Sequence, residues 1–112
     1  MSIIWHNGTF KQDSDAVLNI SDRALRGHGV FDTMLVIDGA PRHGAQHFKR
    51  LIHDADILGI SPLPDIRVWE DATRQLLHEN SCLDGRYVLN TVITGGTSPR
   101  GLAMPKEPQP QI

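Results

Sequence analysis

The spacing of apolar residues along the chain predicts a mixture of strands and helices. Residues 30–37 and 86–94 are rich in β-branched and large apolar side chains, as is typical of buried strands. Residues 43–60 instead carry apolar side chains at the spacing i, i+3, i+4, i+7, which predicts an amphipathic helix ending at Gly59. The apolar positions of that helix are Phe48, Leu51, Ile52, Ala55 and Leu58.

Turn residues and a second apolar stripe complete the predicted element order. The dipeptides Asn7-Gly8 and Asp38-Gly39 favour tight hairpin turns, each followed by a short return strand. A second helix is expected from Ile66 to about Asn80, after a segment broken by two prolines. Its predicted apolar face consists of Ile66, Trp69, Leu76 and Leu77. The chain should therefore be an α+β domain in which two main helices pack on a mostly antiparallel or mixed sheet.

The proline content divides the chain into a domain and a tail. We expect residues 1–104 to form one α+β domain. Residues 105–112 contain three of the seven prolines, a composition typical of an extended linker. The expectation is that this tail begins an interdomain linker and that a further domain belongs after it.

Charge and composition exclude several classes of partner. The formal net charge of −2 gives no general attraction to nucleic acid. No apolar run approaches the roughly 18 residues of a membrane helix, so no membrane partner is expected. Because Cys82 is the single cysteine, no intrachain disulfide can form, and a cytoplasmic location is expected.

Histidines and arginines are the candidates for binding chemistry. His43 and His47 lie four residues apart at the start of the first helix, but no carboxylate or cysteine at a compatible spacing completes a ligand set, so no metal site is predicted. Arg50 lies at the edge of the same helix's apolar face, where an arginine either covers the core margin or binds an anion. Arg100 lies on a loop rich in glycine, a common location for substrate contacts as well as for unengaged arginines.

The stretch "ISDRALRGHGVFDT", residues 20–33, combines a helix-start signal with two arginines and two glycines. Ser21-Asp22 can cap one helical turn. The Gly27–Gly29 pair is not a dinucleotide-binding fingerprint, because it precedes a strand instead of following one. From the residues alone, a structural turn and a phosphate-binding corner both remain open.

Residues 20–60 closely resemble the N-terminal domain of the class IV aminotransferases, the fold-type IV enzymes that use pyridoxal phosphate. Four ordered blocks carry the resemblance: the Ser-Asp-Arg start, the block "GHGVFDT", the Asp-Gly hairpin and the His-x-x-Arg-Leu helix at residues 47–51. The resemblance extends over nearly all of the chain. It implies the fold of the small N-terminal domain and transfer of an amino group between an amino acid and a 2-oxo acid, by a homodimer.

The resemblance also implies roles for individual residues. Arg50 matches the arginine that binds the cofactor phosphate. Phe31 matches an aromatic position that lines the substrate pocket, and Arg100 is similar to a loop arginine that traps a substrate carboxylate. The Gly27–Gly29 corner would then be the structural bend that directs the strand carrying Phe31 toward the cleft.

Departures from the family patterns leave the specificity open. His28 and Asp32 stand where Asp and Glu are usual, and Gly95 stands where Arg is frequent. Leu102 and Leu89 occupy positions that differ from D-amino-acid and branched-chain aminotransferases, respectively. The aminodeoxychorismate lyases of the same family, which release pyruvate, are therefore an alternative to an aminotransferase.

The lysine that bonds covalently to the cofactor in this family has no counterpart here. Lys11, Lys49 and Lys106 do not match its position, which lies in the C-terminal domain. No catalytic residue is therefore assigned in this chain, and the 112 residues alone are expected to be inactive. An alternative of another class is a non-catalytic domain that acts only in association with a partner.

Overall fold

The computed structural model describes residues 2–15, 18–97 and 110–112. Its helices and strands follow the predicted order. Of two short 3₁₀ turns, the one at Arg23–Arg26 was predicted from its cap, and the one at Asp13–Asp15 was not. The architecture is α+β, as predicted, but its strands form two separate antiparallel sheets. In the part of the chain described, no helix is long and apolar enough to cross a membrane.

The first sheet is a two-stranded hairpin. Strand β1, Ile3–His6, pairs antiparallel with β2, Thr9–Gln12. The turn residues Asn7 and Gly8 have φ values of 49° and 88°, the left-handed geometry that Asn-Gly favours. The predicted hairpin is therefore confirmed.

The second sheet has the strand order β4-β3-β5. Strand β3, Gly29–Ile37, is central, and β4, Ala40–Pro41, is the short return strand after the Asp38-Gly39 turn. Strand β5, Arg86–Thr94, pairs with β3 along its full length.

Local signals mark the C-terminal end of α1 and the N-terminal start of α2. Helix α1 spans Gly44–Ile57, and Gly59 follows it with φ at 70°, as predicted for the helix end. Helix α2 spans Ile66–Glu79. Asp65 caps α2, since its side chain accepts a hydrogen bond from the Arg67 amide.

The core lies between β3, β5 and the two helices. Its members are buried apolar side chains: Met34, Phe48, Leu51, Ala55, Ile60, Trp69 and Ile93. The predicted stripe of α1 is confirmed at Phe48, Leu51 and Ala55, whereas Leu58, after the helix, is exposed. In α2, Trp69 and Leu77 are buried as predicted.

The second face of the three-stranded sheet is open. Side chains alternate along β3, so Asp32 and Met34 face α1 and the core, while Phe31 and Thr33 face away. The cross-strand partner of Phe31 on β5 is Val92, which is also exposed. This open face carries large apolar side chains with no covering element among the described residues.

Residues 22–26 fix the chain before β3. Asp22 is 1% exposed and caps the 3₁₀ turn Arg23–Arg26, accepting a hydrogen bond from the Ala24 amide. Its second oxygen accepts from the Thr94 hydroxyl at 3.0 Å. One carboxylate therefore ties this turn to the end of β5.

Replacing Asp22 by alanine should lower the free energy of unfolding by about 2 kcal/mol, because it removes a cap and leaves the buried Thr94 hydroxyl without its acceptor. Asp65→Ala is the matched control, since it removes an exposed cap and should cost only about 1 kcal/mol. Chemical denaturation measures both. Equal losses would show that the Thr94 contact contributes nothing.

The residues at 110–112 bind to the rest of the domain. Gln111 exchanges backbone hydrogen bonds with Thr94, and Ile112 packs against the core. The Asn7 amide donates to the Ile112 carbonyl at 2.9 Å. This short segment thus contacts both the tip of the first hairpin and the end of β5.

Candidate anion-binding site

Asp32 is a nearly buried carboxylate in the middle of the domain. It lies on the central strand β3, on the face toward α1, and is 8% exposed. A carboxylate removed from water needs hydrogen-bond donors to keep its charge. Two residues of α1 supply those donors.

His47 and Arg50 lie three residues apart and therefore on the same face of α1. His47 Nδ1 is 2.8 Å from one carboxylate oxygen of Asp32, and Arg50 Nη2 donates to the other. Each oxygen of Asp32 therefore binds a different α1 side chain.

Arg50 keeps much of its guanidinium available. Its side chain is 61% exposed, and among the described residues Asp32 binds it through Nη2, which leaves the Nε and Nη1 donors for solvent or a ligand. The hydrogen bond to Asp32, reinforced by the charge of that carboxylate, raises the pKa of Arg50 above its ordinary value. The group therefore stays cationic at any pH at which proteins are folded.

A shallow cavity of about 150 Å³ opens beside the N-terminal half of α1. It is lined by His43, Gln46, His47 and Arg50. A planar cation at the rim of a small polar cavity suits an anion with several oxygens, such as a phosphate or carboxylate group. The Arg50 guanidinium is exposed and does not cover the core, so its remaining donors are accessible to an anion.

The sequence-predicted site residues do not all meet at this cavity. Arg50 lines it, and Phe31 lies on the opposite, open face of the sheet, where it is 73% exposed. A separate depression of about 460 Å³ includes Phe31 and Val92. Arg100 lies outside the described residues.

The glycine corner before β3 is held by His28. Arg23 Nε donates to His28 Nδ1 at 3.0 Å, and His28 Nε2 lies 2.8 Å from the Leu58 carbonyl, to which it donates. The His28 ring occupies the space beside Gly95, where any Cβ would collide with it. These contacts tie the corner to the end of α1 and to β5, which supports a structural role for Gly27 and Gly29.

Asp32 and His47 are the site residues that sequence reasoning missed. The sequence placed His47 in a weak metal pair and at the start of the His-x-x-Arg-Leu block without a role of its own, and it identified Asp32 only as a departure from a family pattern. The available signal was the one charged residue inside the mostly apolar run at 30–37, together with the histidine one turn before Arg50. Within the described ranges, no three His, Cys, Asp or Glu side chains cluster as a metal site would require.

Comparison with known proteins identifies the family of the chain. Residues 29–112 match the model of the amino-transferase class IV family, so the chain belongs to that family. It is 28% identical over 109 residues to a D-alanine aminotransferase of Staphylococcus epidermidis. The match covers 96% of this chain and 38% of that enzyme, so the chain spans well under half of its relative.

Solved structures agree with this assignment. A 4-amino-4-deoxychorismate lyase from Pseudomonas aeruginosa superposes with a TM-score of 0.72 at 32% identity, over 96% of this chain and 36% of that one. The branched-chain amino acid aminotransferase of Escherichia coli reaches a TM-score of 0.89 at 22% identity, over 98% of this chain and 38% of that one. The second likeness, at its lower identity, shows the shared fold alone.

Proposed function

We propose that the full-length protein is a pyridoxal-phosphate-dependent aminotransferase and that this chain supplies the arginine that binds the cofactor phosphate. The observation that carries the proposal is the Arg50 guanidinium, held by the buried Asp32 at the rim of a small polar cavity. When bound, the cofactor supplies an electron-withdrawing ring that stabilises negative charge on the substrate carbon.

The residues at the cavity fit a phosphate ester by their chemistry. The phosphate carries between one and two negative charges near neutral pH, and a guanidinium matches its oxygens with paired N–H donors. His47 adds a second polar group beside Arg50. Helix α1 holds both side chains on one rigid element, so the anion would be oriented as well as bound.

The substrate would contact residues outside this cavity. Phe31 is proposed to form a wall of the substrate pocket, and its exposure on the open sheet face leaves it accessible for that role. Arg100 is proposed to bind a substrate carboxylate, on the basis of the family resemblance alone. Amino acid and 2-oxo acid are the proposed substrates.

The domain organisation, the location and the oligomeric state are proposed from the family. We propose that residues 1–104 are the N-terminal domain and that residues 105–112 begin the linker to a domain carrying the cofactor lysine. This chain matches only 38% of the length of the Staphylococcus epidermidis relative, which supports this proposal. A cytoplasmic homodimer is the proposed working form.

Amino transfer by the full-length protein is the direct test. With pyridoxal phosphate present, D-alanine or a branched-chain L-amino acid plus 2-oxoglutarate should give glutamate and the corresponding 2-oxo acid, measured by chromatography. Bound cofactor should also give the protein visible absorbance. A full-length protein that neither binds the cofactor nor transfers an amino group would contradict the proposal and favour a non-catalytic, associating domain.

One comparison keeps the lyase alternative in view. The Pseudomonas aeruginosa lyase is 32% identical to this chain, an identity comparable to the 28% of the Staphylococcus epidermidis aminotransferase. A lyase should release pyruvate from aminodeoxychorismate without any added 2-oxo acid. With aminodeoxychorismate as the sole substrate, pyruvate detected with lactate dehydrogenase reports the lyase, whereas pyruvate formed from D-alanine requires an added 2-oxo acid and reports the aminotransferase.

A further inference from the structure

We infer that Asp32 is a positioning residue for phosphate binding: it orients Arg50 and fixes His47 in the tautomer that leaves Nε2 free as a second ligand of the same phosphate. The inference rests on the proposed function, because it assumes that Arg50 binds the cofactor phosphate. It adds two residues, Asp32 and His47, for which the sequence predicted no such role.

Asp32 is suited to positioning because its own place is fixed. It lies in the central strand β3, where its cross-strand partner on β5 is Thr91, and its side chain is 8% exposed. An unrestrained arginine side chain samples many rotamers, and ordering it on ligand binding costs conformational entropy. The contact with Asp32 fixes the Arg50 guanidinium before the ligand arrives.

The hydrogen bond to Asp32 also determines that Nδ1 of the His47 ring carries a proton. An ionised carboxylate can only accept, so His47 Nδ1, 2.8 Å from Asp32 Oδ2, must carry the proton. In the neutral ring this leaves Nε2 without a proton, able to accept from a singly protonated phosphate. In the protonated ring Nε2 donates to the phosphate dianion, so either form provides one hydrogen bond.

The geometry brings the two proposed ligands together. Arg50 Nη2 lies 3.2 Å from His47 Nδ1, and both side chains line the same cavity. Since His47 Nδ1 donates to Asp32, this short distance reflects two donors converging on one carboxylate. Because both side chains also line the same cavity, we place one anion there, within reach of the remaining Arg50 donors and of His47 Nε2.

A second ion pair, which lies on the surface of the domain, provides a comparison for the Asp32 site. Arg74 and Asp71 on α2 also form an Arg–Asp pair, but their side chains are 67% and 69% exposed. Exposed pairs of this kind contribute little and hold neither partner firmly. The Asp32 site differs because its carboxylate is buried and binds two side chains from one helix face.

The test compares a phosphate-bearing probe with one that lacks phosphate. Affinities of the full-length protein for pyridoxal phosphate and for pyridoxal are measured for Asp32→Asn, Asp32→Glu, His47→Gln and Arg50→Ala. We expect Asp32→Asn to weaken pyridoxal phosphate binding about tenfold and to leave pyridoxal binding unchanged, because asparagine has a single acceptor oxygen for two donors. Asp32→Glu, which keeps both oxygens, should restore most of the affinity.

His47→Gln is the variant that does not disturb the strand. The His47 side chain is 23% exposed, so its replacement should leave the fold intact and weaken only phosphate-dependent binding, by several-fold. Imidazole nitrogen NMR of the unmodified protein gives a readout besides affinity. The spectrum should show that Nδ1 of His47 carries a proton. Addition of inorganic phosphate should change the chemical shift of Nε2. Asp71→Asn is the control and should change none of these quantities.

The outcomes separate the inference from the proposed function. If Arg50→Ala binds both probes as the unmodified protein does, the proposed function is wrong at this site. If Arg50→Ala loses affinity for pyridoxal phosphate while Asp32→Asn and His47→Gln retain it, the inference is overturned and the function stands. A His47 ring that carries its proton only on Nε2 would also overturn the inference.

Discussion

Replacing Arg50 by alanine should weaken pyridoxal phosphate binding to the full-length protein by about 10- to 100-fold. The variant removes a cation that is held ready by Asp32 and whose remaining donors are exposed to the cavity. It also leaves the nearly buried Asp32 carboxylate without one of its two partners, so negative charge close to the phosphate is less well neutralised. Absorbance or fluorescence titration with the cofactor measures the change.

Two further variants sharpen the Arg50 experiment. Arg50→Lys keeps the charge but not the planar fork, and its affinity should lie between those of Arg50→Ala and the unmodified protein. Arg74→Ala is the matched control, since it removes another exposed arginine paired with an aspartate. Retention of full affinity in Arg50→Ala would show that the phosphate binds elsewhere.

Replacing Leu51 by alanine should lower the free energy of unfolding by about 3–5 kcal/mol. Leu51 is 1% exposed and belongs to the core cluster with Met34, Phe48 and Trp69. Its truncation removes apolar burial and leaves a cavity under the helix that carries Arg50. Because most domains are stable by only about 5–15 kcal/mol, this one change should remove a large part of the total.

The control for Leu51 is the same substitution at a surface position. Leu25 is 63% exposed, and Leu25→Ala should change the stability by less than about 1 kcal/mol. Urea denaturation followed by circular dichroism compares the two variants. A loss at Leu51 no larger than that at Leu25 would mean that the core packing described for α1 is wrong.

Local signals explain why most of the fold could be predicted. The Asn7-Gly8 and Asp38-Gly39 turns depend on neighbouring residues only, and each adopts the expected left-handed geometry. The C-terminal end of α1 likewise follows from Gly59, and the N-terminal start of α2 follows from Asp65. Thr73 was not expected in the buried face of α2; its hydroxyl donates to the Trp69 carbonyl at 2.7 Å and is thereby satisfied inside the helix.

The candidate site depends on packing that no local signal reports. Arg50 was identified through its place in a family motif, but the proximity of Asp32 requires β3 to pack against α1, and the two residues are 18 positions apart. The separation of the strands into two sheets is also non-local. Sequence periodicity assigns residues to strands, whereas the pairing of those strands depends on which apolar faces cover each other.

The alternation of side chains along β3 makes the site a reporter of correct strand pairing. Phe31 and Asp32 are neighbours on opposite faces of the sheet. A slip of β3 by one residue would turn the Asp32 carboxylate to the open face and bring Phe31 or Thr33, according to its direction, against the Arg50 guanidinium. Misfolded chains with a shifted strand would therefore lose the anion site entirely, so phosphate binding would count only molecules whose central strand is in the native register.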